Sequence, residues 1–228
     1  HLLMKIGISG KMTAGKTSMR MYLEKNYGFV GIAFADPIKK LEKIHSSSLP
    51  QVWEGEVSQF MDSIVESKVH DLSKSRWKEK ISSIILQCFH DNEPMPGVKN
   101  RRLLQSIGNG LRKIDENIWL NCLLYQIKKV DNVVVDDVRY LNELYRLKQE
   151  GFQMWRIEVT PETQRDRIIR LYGEENLNYI HDIGEVQLDD ELEQFDYIIC
   201  GNVPLEEMYE AGDFLIGEHA PWLKRKAE

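Results

Sequence analysis

The 228-residue chain has only three cysteines, Cys88, Cys122 and Cys200, odd in number, far apart and set in apolar segments. This argues against a disulfide framework or a cysteine metal cage and leads us to expect buried thiols. Charges interrupt every apolar run well short of the ~18 to 20 residues that a membrane helix needs. Residues His1 to Lys5 lack a basic start followed by a long apolar stretch, so no secretory signal is readable and a cytoplasmic address is expected. Positive charge is not in excess either: 30 Lys and Arg stand against 36 Asp and Glu, a net charge of −6. Nucleic-acid binding depends on a surplus of cations, so a small-molecule partner is the better expectation. The sequence contains no repeat, no low-complexity tract and no Ser-His-Asp set. His45, His70, His90 and His181 fall in unrelated segments and read as structural or surface residues. What is present, 42% hydrophobic and 29% charged residues, is the composition of an ordinary globular domain.

Apolar strand-like runs at Leu2 to Ser9, Phe29 to Phe34, Asn132 to Asp136, Gln153 to Val159 and Phe195 to Cys200 alternate with helical spacing. The helices expected are Lys16 to Asn26, Ile38 to Ile44 with Asp36 as N-cap, Arg101 to Ile114, Ile118 to Lys129, Leu141 to Glu150 and Pro161 to Leu171. This order predicts an α/β fold, a five-stranded parallel sheet with helices on both faces, in one domain over residues 1–228. Residues 45–100, with amphipathic runs at Val57 to Val69 and Trp77 to Phe89, read as a helical insertion within it.

Gly10-Lys11-Met12-Thr13-Ala14-Gly15-Lys16-Thr17 matches G-x-x-x-x-G-K-[ST] between a predicted strand and a predicted helix, where that motif cradles phosphates. Backbone N–H groups from Gly10 through Ser18, including those of Met12, Thr13, Ala14 and Gly15, are the expected cradle for ATP. Lys16 is expected to follow the β- and γ-phosphates and Thr17 to ligate Mg²⁺. Val133-Val134-Val135-Asp136-Asp137 has the form of an apolar strand ending in a metal-holding carboxylate. The pattern does not choose between Asp136 and Asp137. Lys11, inside the loop, suits a solvated lysine and a phosphate contact equally.

Three further segments bring positive charge: Phe34 to Lys40 with Lys39, Arg101 to Asn109 followed by Trp119, and Asp137-Val138-Arg139. Cations from separate segments meeting at one sheet edge suit a second phosphorylated ligand opposite ATP. A pocket of Trp119, Gln105 and Asn109 would stack a base and offer it amide groups. The phosphate loop, F-A-D-P-I-K, R-R-L-L-Q-S-I-G with a following I-W, V-V-D-D-V-R with Asn142-Glu143, H-D-I-G-E-V-Q-L-D-D and F-D-Y-I-I-C-G-N follow one another in an order that resembles the bacteriophage-type deoxynucleoside monophosphate kinases. The resemblance spans nearly all of the chain outside the insertion. It implies an adenylate-kinase-like fold with ATP in the loop, Mg²⁺, and a deoxynucleoside monophosphate held by Lys39, Arg101, Arg102, Gln105, Asn109, Trp119, Asp137 and Arg139. It also implies that Gly201 and Asn202 lie near the adenine. Thr17 stands where relatives commonly carry Asp, a change toward the general ATPase motif, and Asn109-Gly110 stands where they carry Thr-Asp, so base preference does not carry over from the resemblance.

Thr160 to Arg170 resembles the start of a kinase lid, expected over 160–187. There Arg167 and Arg170, three apart on one helix face, would close over the transferring phosphate together with Lys16 and Arg139. Animal-type phosphomevalonate kinase and dephospho-coenzyme A kinase share several of these signatures and are the alternative enzymes. A nucleotide-dependent switch is the alternative of another class, although the Asn-Lys-x-Asp guanine-reading motif is missing. A homodimer is compatible with the reading, and neither a membrane nor a nucleic-acid partner is expected.

Overall fold

The structure, a computed structural model, describes residues 3–65, 74–128 and 130–226. Leu2, residues 66–69 of the predicted Val57 to Val69 run, His70 and Lys129 lie outside them. The elements run β1 (Lys5–Gly10), α1 (Lys16–Tyr27), β2 (Val30–Ile32), α2 (Asp36–Ser47), α3 (Trp53–Val65), α4 (Lys74–His90), α5 (Arg101–Arg112) and α6 (Ile118–Ile127). They continue with β3 (Val133–Val138), α7 (Leu141–Gln149), β4 (Gln153–Glu158), α8 (Pro161–Tyr172), α9 (Ile183–Val186), β5 (Tyr197–Cys200) and α10 (Leu205–His219). The chain divides into an α/β unit, residues 1–33 and 129–228, and a helical unit, residues 34–128. The helical unit is thus wider than the predicted insertion: it takes in α2, α5 and α6 as well as α3 and α4.

In the α/β unit all strand pairs are parallel, in the order β2-β3-β1-β4-β5. Alternation along β1 explains how both faces are covered. Ile6 and Ile8 join Trp155, Ile157, Met19, Leu23, Met208 and Leu215 in the core under α1 and α10. Gly7, between them, has no side chain, and the tip of Met154 and Leu147 of α7 fill the space on its side. β1 is central, with β3 on one side and β4 on the other. The chain after it therefore leaves at the switch point of the sheet, where open α/β sheets bind ligands. Helix α1 stops at Gly28, whose left-handed φ of 74° and N–H bond to the Glu24 carbonyl close the last turn. The predicted strand Phe29 to Phe34 shrinks to three residues, because Ala33 and Phe34 lead on toward α2.

The helical unit is built from apolar stripes. Leu103, Ile107 and Leu111 of α5 and Ile81, Ile85 and Phe89 of α4 recur every four residues and are fully buried. Asn100 caps α5 by accepting the Leu103 N–H at 3.0 Å. Helix α2 begins at Asp36, one residue earlier than its expected role as N-cap, with Pro37 in its first turn. His45 is buried against Trp53 and Phe89, with Nε2 3.1 and 3.0 Å from the carbonyls of Phe89 and Asn92. Cys122 is buried, and burial pushes its thiol up to about 12. Cys200 corrects the expectation of buried thiols. The last residue of the edge strand β5, it is exposed.

Candidate functional site

The loop between β1 and α1 is shaped by two left-handed residues. Thr13 has φ 67° and Gly15 φ 107°. At Gly15 a side chain would be strained, whereas glycine takes this conformation freely. Thr13 is the one non-glycine among the described residues with positive φ, a departure that concentrates at ligand-binding loops. Such left-handed residues turn successive N–H groups toward one side and form an anion nest. The loop is braced by the Ala14 N–H, which donates to the Lys11 carbonyl at 3.1 Å. It is also braced from outside: Arg167 of α8 donates to the carbonyls of Thr13 and Gly201 at 3.1 and 2.8 Å. Gly201 packs so close that a Cβ there would lie 2.9 Å from the Ala14 carbonyl oxygen.

Lys16 is 9% exposed and donates to the Gly10 and Lys11 carbonyls at 2.7 and 2.8 Å. Burial, and after it the positive field of Arg139, pulls its ammonium down to about 8, while Glu185 and Asp136 oppose the shift. Thr17 Oγ1 donates to Asp136 Oδ2 at 3.0 Å, and Arg20 Nε lies 3.2 Å from the same oxygen. Asp136 is 6% exposed at the C-terminal end of β3. Of the two carboxylates that the sequence leaves open, the structure places Asp136 against Thr17. One hydroxyl and one carboxylate suit Mg²⁺, which keeps several waters and completes its shell with phosphate oxygens. Among the described residues no cluster of three His, Cys, Asp or Glu side chains suits an all-protein metal cage.

Arg139 follows β3. Its N–H donates to Glu143 Oε2 at 2.8 Å, as does that of Tyr140 at 3.1 Å, so a buried carboxylate fixes the backbone from which Arg139 projects. The Arg139 guanidinium donates to Glu185 Oε1 at 2.9 Å, and Glu185 Oε2 accepts the loop's Met12 N–H at 2.6 Å. Lys11 donates to the Glu185 carbonyl at 2.7 Å and pairs with Asp189, so it is engaged by protein groups. Asp189 also pairs with Arg156 at 3.1 Å, and Arg156, buried on β4, donates to Ser9 Oγ at 3.0 Å. Glu185, Asp189 and Arg156 were not singled out from sequence, and Glu143, named there with Asn142, was given no role. Glu185 and Asp189 fall within the H-D-I-G-E-V-Q-L-D-D segment, whose carboxylates were the available signal.

Of the predicted site residues, the α/β unit brings Lys16, Thr17, Asp136, Arg139, Arg167 and Gly201 together around the loop. Asn202 is exposed and its Oδ1 accepts the Thr160 N–H at 3.0 Å. Arg170 is exposed while Arg167 is tied to carbonyls, so the two do not act here as one closed pair. In the helical unit, Arg102, Gln105 and Asn109 share the exposed face of α5 opposite its apolar stripe, and Arg101 is half-buried. Lys39 is exposed and lies 3.3 Å from Asp36. Trp119 corrects the expectation of a base-stacking ring. It is 1% exposed, and its indole N–H donates to the Gly108 carbonyl at 3.2 Å. The apolar character of α6 draws the ring into the core of the helical unit.

No family model matches the chain, and no curated protein matches it. Among solved structures, the chain is similar to the crystal structure of TT1252 from Thermus thermophilus, at 13% identity and a TM-score of 0.50, over 96% of this chain and 98% of that one. At such identity the likeness bears on the fold alone, an α/β architecture with a five-stranded parallel sheet. No helix of the described residues is long and apolar enough to cross a membrane.

Proposed function

We propose that the protein transfers the γ-phosphoryl group of ATP to a deoxynucleoside monophosphate, giving the diphosphate and ADP, in the manner of the bacteriophage-type kinases it resembles. The observation that carries the donor half is the loop itself: left-handed Thr13 and Gly15, buried Lys16, and Thr17 against Asp136 at the switch point of a parallel sheet. The acceptor half rests on the order of sequence motifs and on the Arg102-Gln105-Asn109 face of α5. We place the activity in the cytoplasm.

Phosphoryl transfer requires two anions to be aligned and their charge neutralised, and the acceptor phosphate oxygen is already a nucleophile. Thr17 and Asp136 would hold Mg²⁺, which when bound with ATP offsets the charge of the phosphate oxygens. Lys16 stabilises charge that grows on the migrating group. Arg139, anchored through Glu143, is the cation of the α/β unit for the acceptor phosphate, a role that the sequence resemblance also gives to Arg102, and Arg170 is the cation available to cover the transfer and exclude water.

The test is ADP release followed with dGMP, dTMP, dCMP and dAMP, with phosphomevalonate and dephospho-coenzyme A as controls. Fast ADP formation with at least one deoxynucleotide, and slow formation without acceptor, is expected. Turnover only with a control would leave the donor site and replace the acceptor. Equal rates with no acceptor would make the protein an NTPase.

A further inference from the structure

We infer that Glu185 is a built-in anion that occupies the phosphate loop when no nucleotide is bound and must leave before the transferring phosphate can enter. The inference rests on the phosphate-loop reading above and assigns that site a regulatory carboxylate. Glu185 lies in α9, 173 residues beyond the loop, and is only 7% exposed. Its two oxygens go to two different parts of the proposed site: Oε2 takes the Met12 N–H at 2.6 Å and Oε1 takes Arg139 Nη1 at 2.9 Å. These are a loop donor and an acceptor-site cation, both assigned above to phosphate. A carboxylate bridging them satisfies the geometry of a phosphate with two of its oxygens.

The segment that carries it is moored on the same sheet edge. Lys11 of the loop donates to the Glu185 carbonyl at 2.7 Å and pairs with Asp189. Gln187 Oε1 accepts the Leu141 N–H at 2.9 Å, and Asp189 holds buried Arg156 at 3.1 Å. A bound phosphate beside this buried carboxylate would face like-charge repulsion, so the two compete for the loop. Displacing Glu185 also frees Arg139. Donor binding would therefore release a cation for the acceptor, which couples the two sites through one side chain.

The experiment is calorimetric titration of the full chain with inorganic tripolyphosphate and with ATP, for wild type, Glu185→Gln, Asp189→Asn and Lys16→Ala. Glu185→Gln keeps the shape and the acceptor for Met12 but removes the charge, so both ligands should bind about tenfold tighter. Asp189→Asn weakens the mooring at Lys11 and Arg156 while leaving the Met12 N–H and Lys16 in place, and a gain of about twofold is expected. Unchanged or weaker binding in a folded Glu185→Gln protein would overturn the inference, because the carboxylate would then be compatible with bound phosphate. If Glu185→Gln does not fold, the absence of any gain in Asp189→Asn overturns it. Failure of the underlying reading looks different: wild type and Lys16→Ala would then bind tripolyphosphate equally or not at all.

Discussion

Lys16, Arg139 and Arg167 in the α/β unit and Lys39 and Arg102 in the helical unit share the proposed task of meeting phosphate, but their surroundings differ. The first three are already bonded: Lys16 to the Gly10 and Lys11 carbonyls, Arg167 to those of Thr13 and Gly201, and Arg139 to Glu185. Lys39 and Arg102 stand exposed on helix surfaces. A cation held in place loses little side-chain entropy when its ligand arrives, but it must give up or share an existing partner. An exposed one pays that entropy on binding and gives up water or, at Lys39, an exposed pairing with Asp36. The proposed donor site is thus already bonded, with Glu185 on the Met12 N–H and Arg139, whereas the proposed acceptor face carries exposed side chains.

The largest effect that tests this contrast is at Lys16. Lys16→Ala should lower the catalytic constant by ~10²-fold or more, because Lys16 is the loop cation assigned to the migrating phosphoryl, Lys11 being held by Asp189 and the Glu185 carbonyl. Near-normal turnover in the folded variant would remove the loop from the chemistry. Next come the two arginines compared directly. Arg102→Ala and Arg139→Ala should each reduce kcat/KM for the acceptor by about 10²-fold, with little change in ATP affinity for Arg102→Ala and no loss of it for Arg139→Ala, which removes one of the bonds that hold Glu185. They should separate in stability. Arg139→Ala leaves the buried Glu185 carboxylate with one partner fewer and should lower the Tm, whereas Arg102, on an open helix face, should leave it unchanged. Equal thermal behaviour would mean that the two sites are not built differently.

A smaller effect follows from the depressed ammonium of Lys16. Burial pulls it from its ordinary value of 10.5 down to about 8. Between these values the unfolded chain holds the proton and the folded protein does not, so this group makes stability rise as pH increases from about 8 toward 10.5. Activity should run the opposite way. kcat/KM for ATP should fall above about pH 8, approaching tenfold per unit, as the charge that meets phosphate is lost. A profile flat to pH 10, or a stability gain that persists in Lys16→Met, would place the titration elsewhere.

Sequence carried the parts of the molecule whose physics is local. Alternating Ile6 and Ile8, the stripe of Leu103, Ile107 and Leu111, and the glycine and lysine of the loop each state their structure within a few residues. The strand Phe29 to Phe34 was overestimated because β-propensity says nothing of where the chain must turn into α2. Helix α10 was not anticipated, since its amphipathic pattern interleaves glycine and acidic residues. Glu185, Arg156 and Glu143 escaped for a different reason. Their roles depend on partners 2 to 173 residues away, and a carboxylate in an acidic segment looks the same whether it faces water or a loop. Trp119 was misread through the same limit: its neighbours on α5 carry charge, but the helix turns its ring away from them.

The smallest effect on activity, and the one that separates the two faces of the helical unit, is expected at Trp119. Trp119→Phe removes the N–H that donates to the Gly108 carbonyl and part of a ring that is 1% exposed. A lost buried hydrogen bond together with a small void should cost about 1 to 3 kcal/mol. In a chain of this size that corresponds to a Tm lowered by roughly 2 to 12 °C. The acceptor KM should stay within about twofold, because the ring belongs to the core and the Arg102-Gln105-Asn109 face of α5 lies on the other side of that helix. Gln105→Ala is the matching control, with the opposite signature expected: a raised acceptor KM at nearly constant Tm. A tenfold rise in KM for Trp119→Phe at unchanged Tm would return the ring to the acceptor site and require α6 to move when the ligand binds.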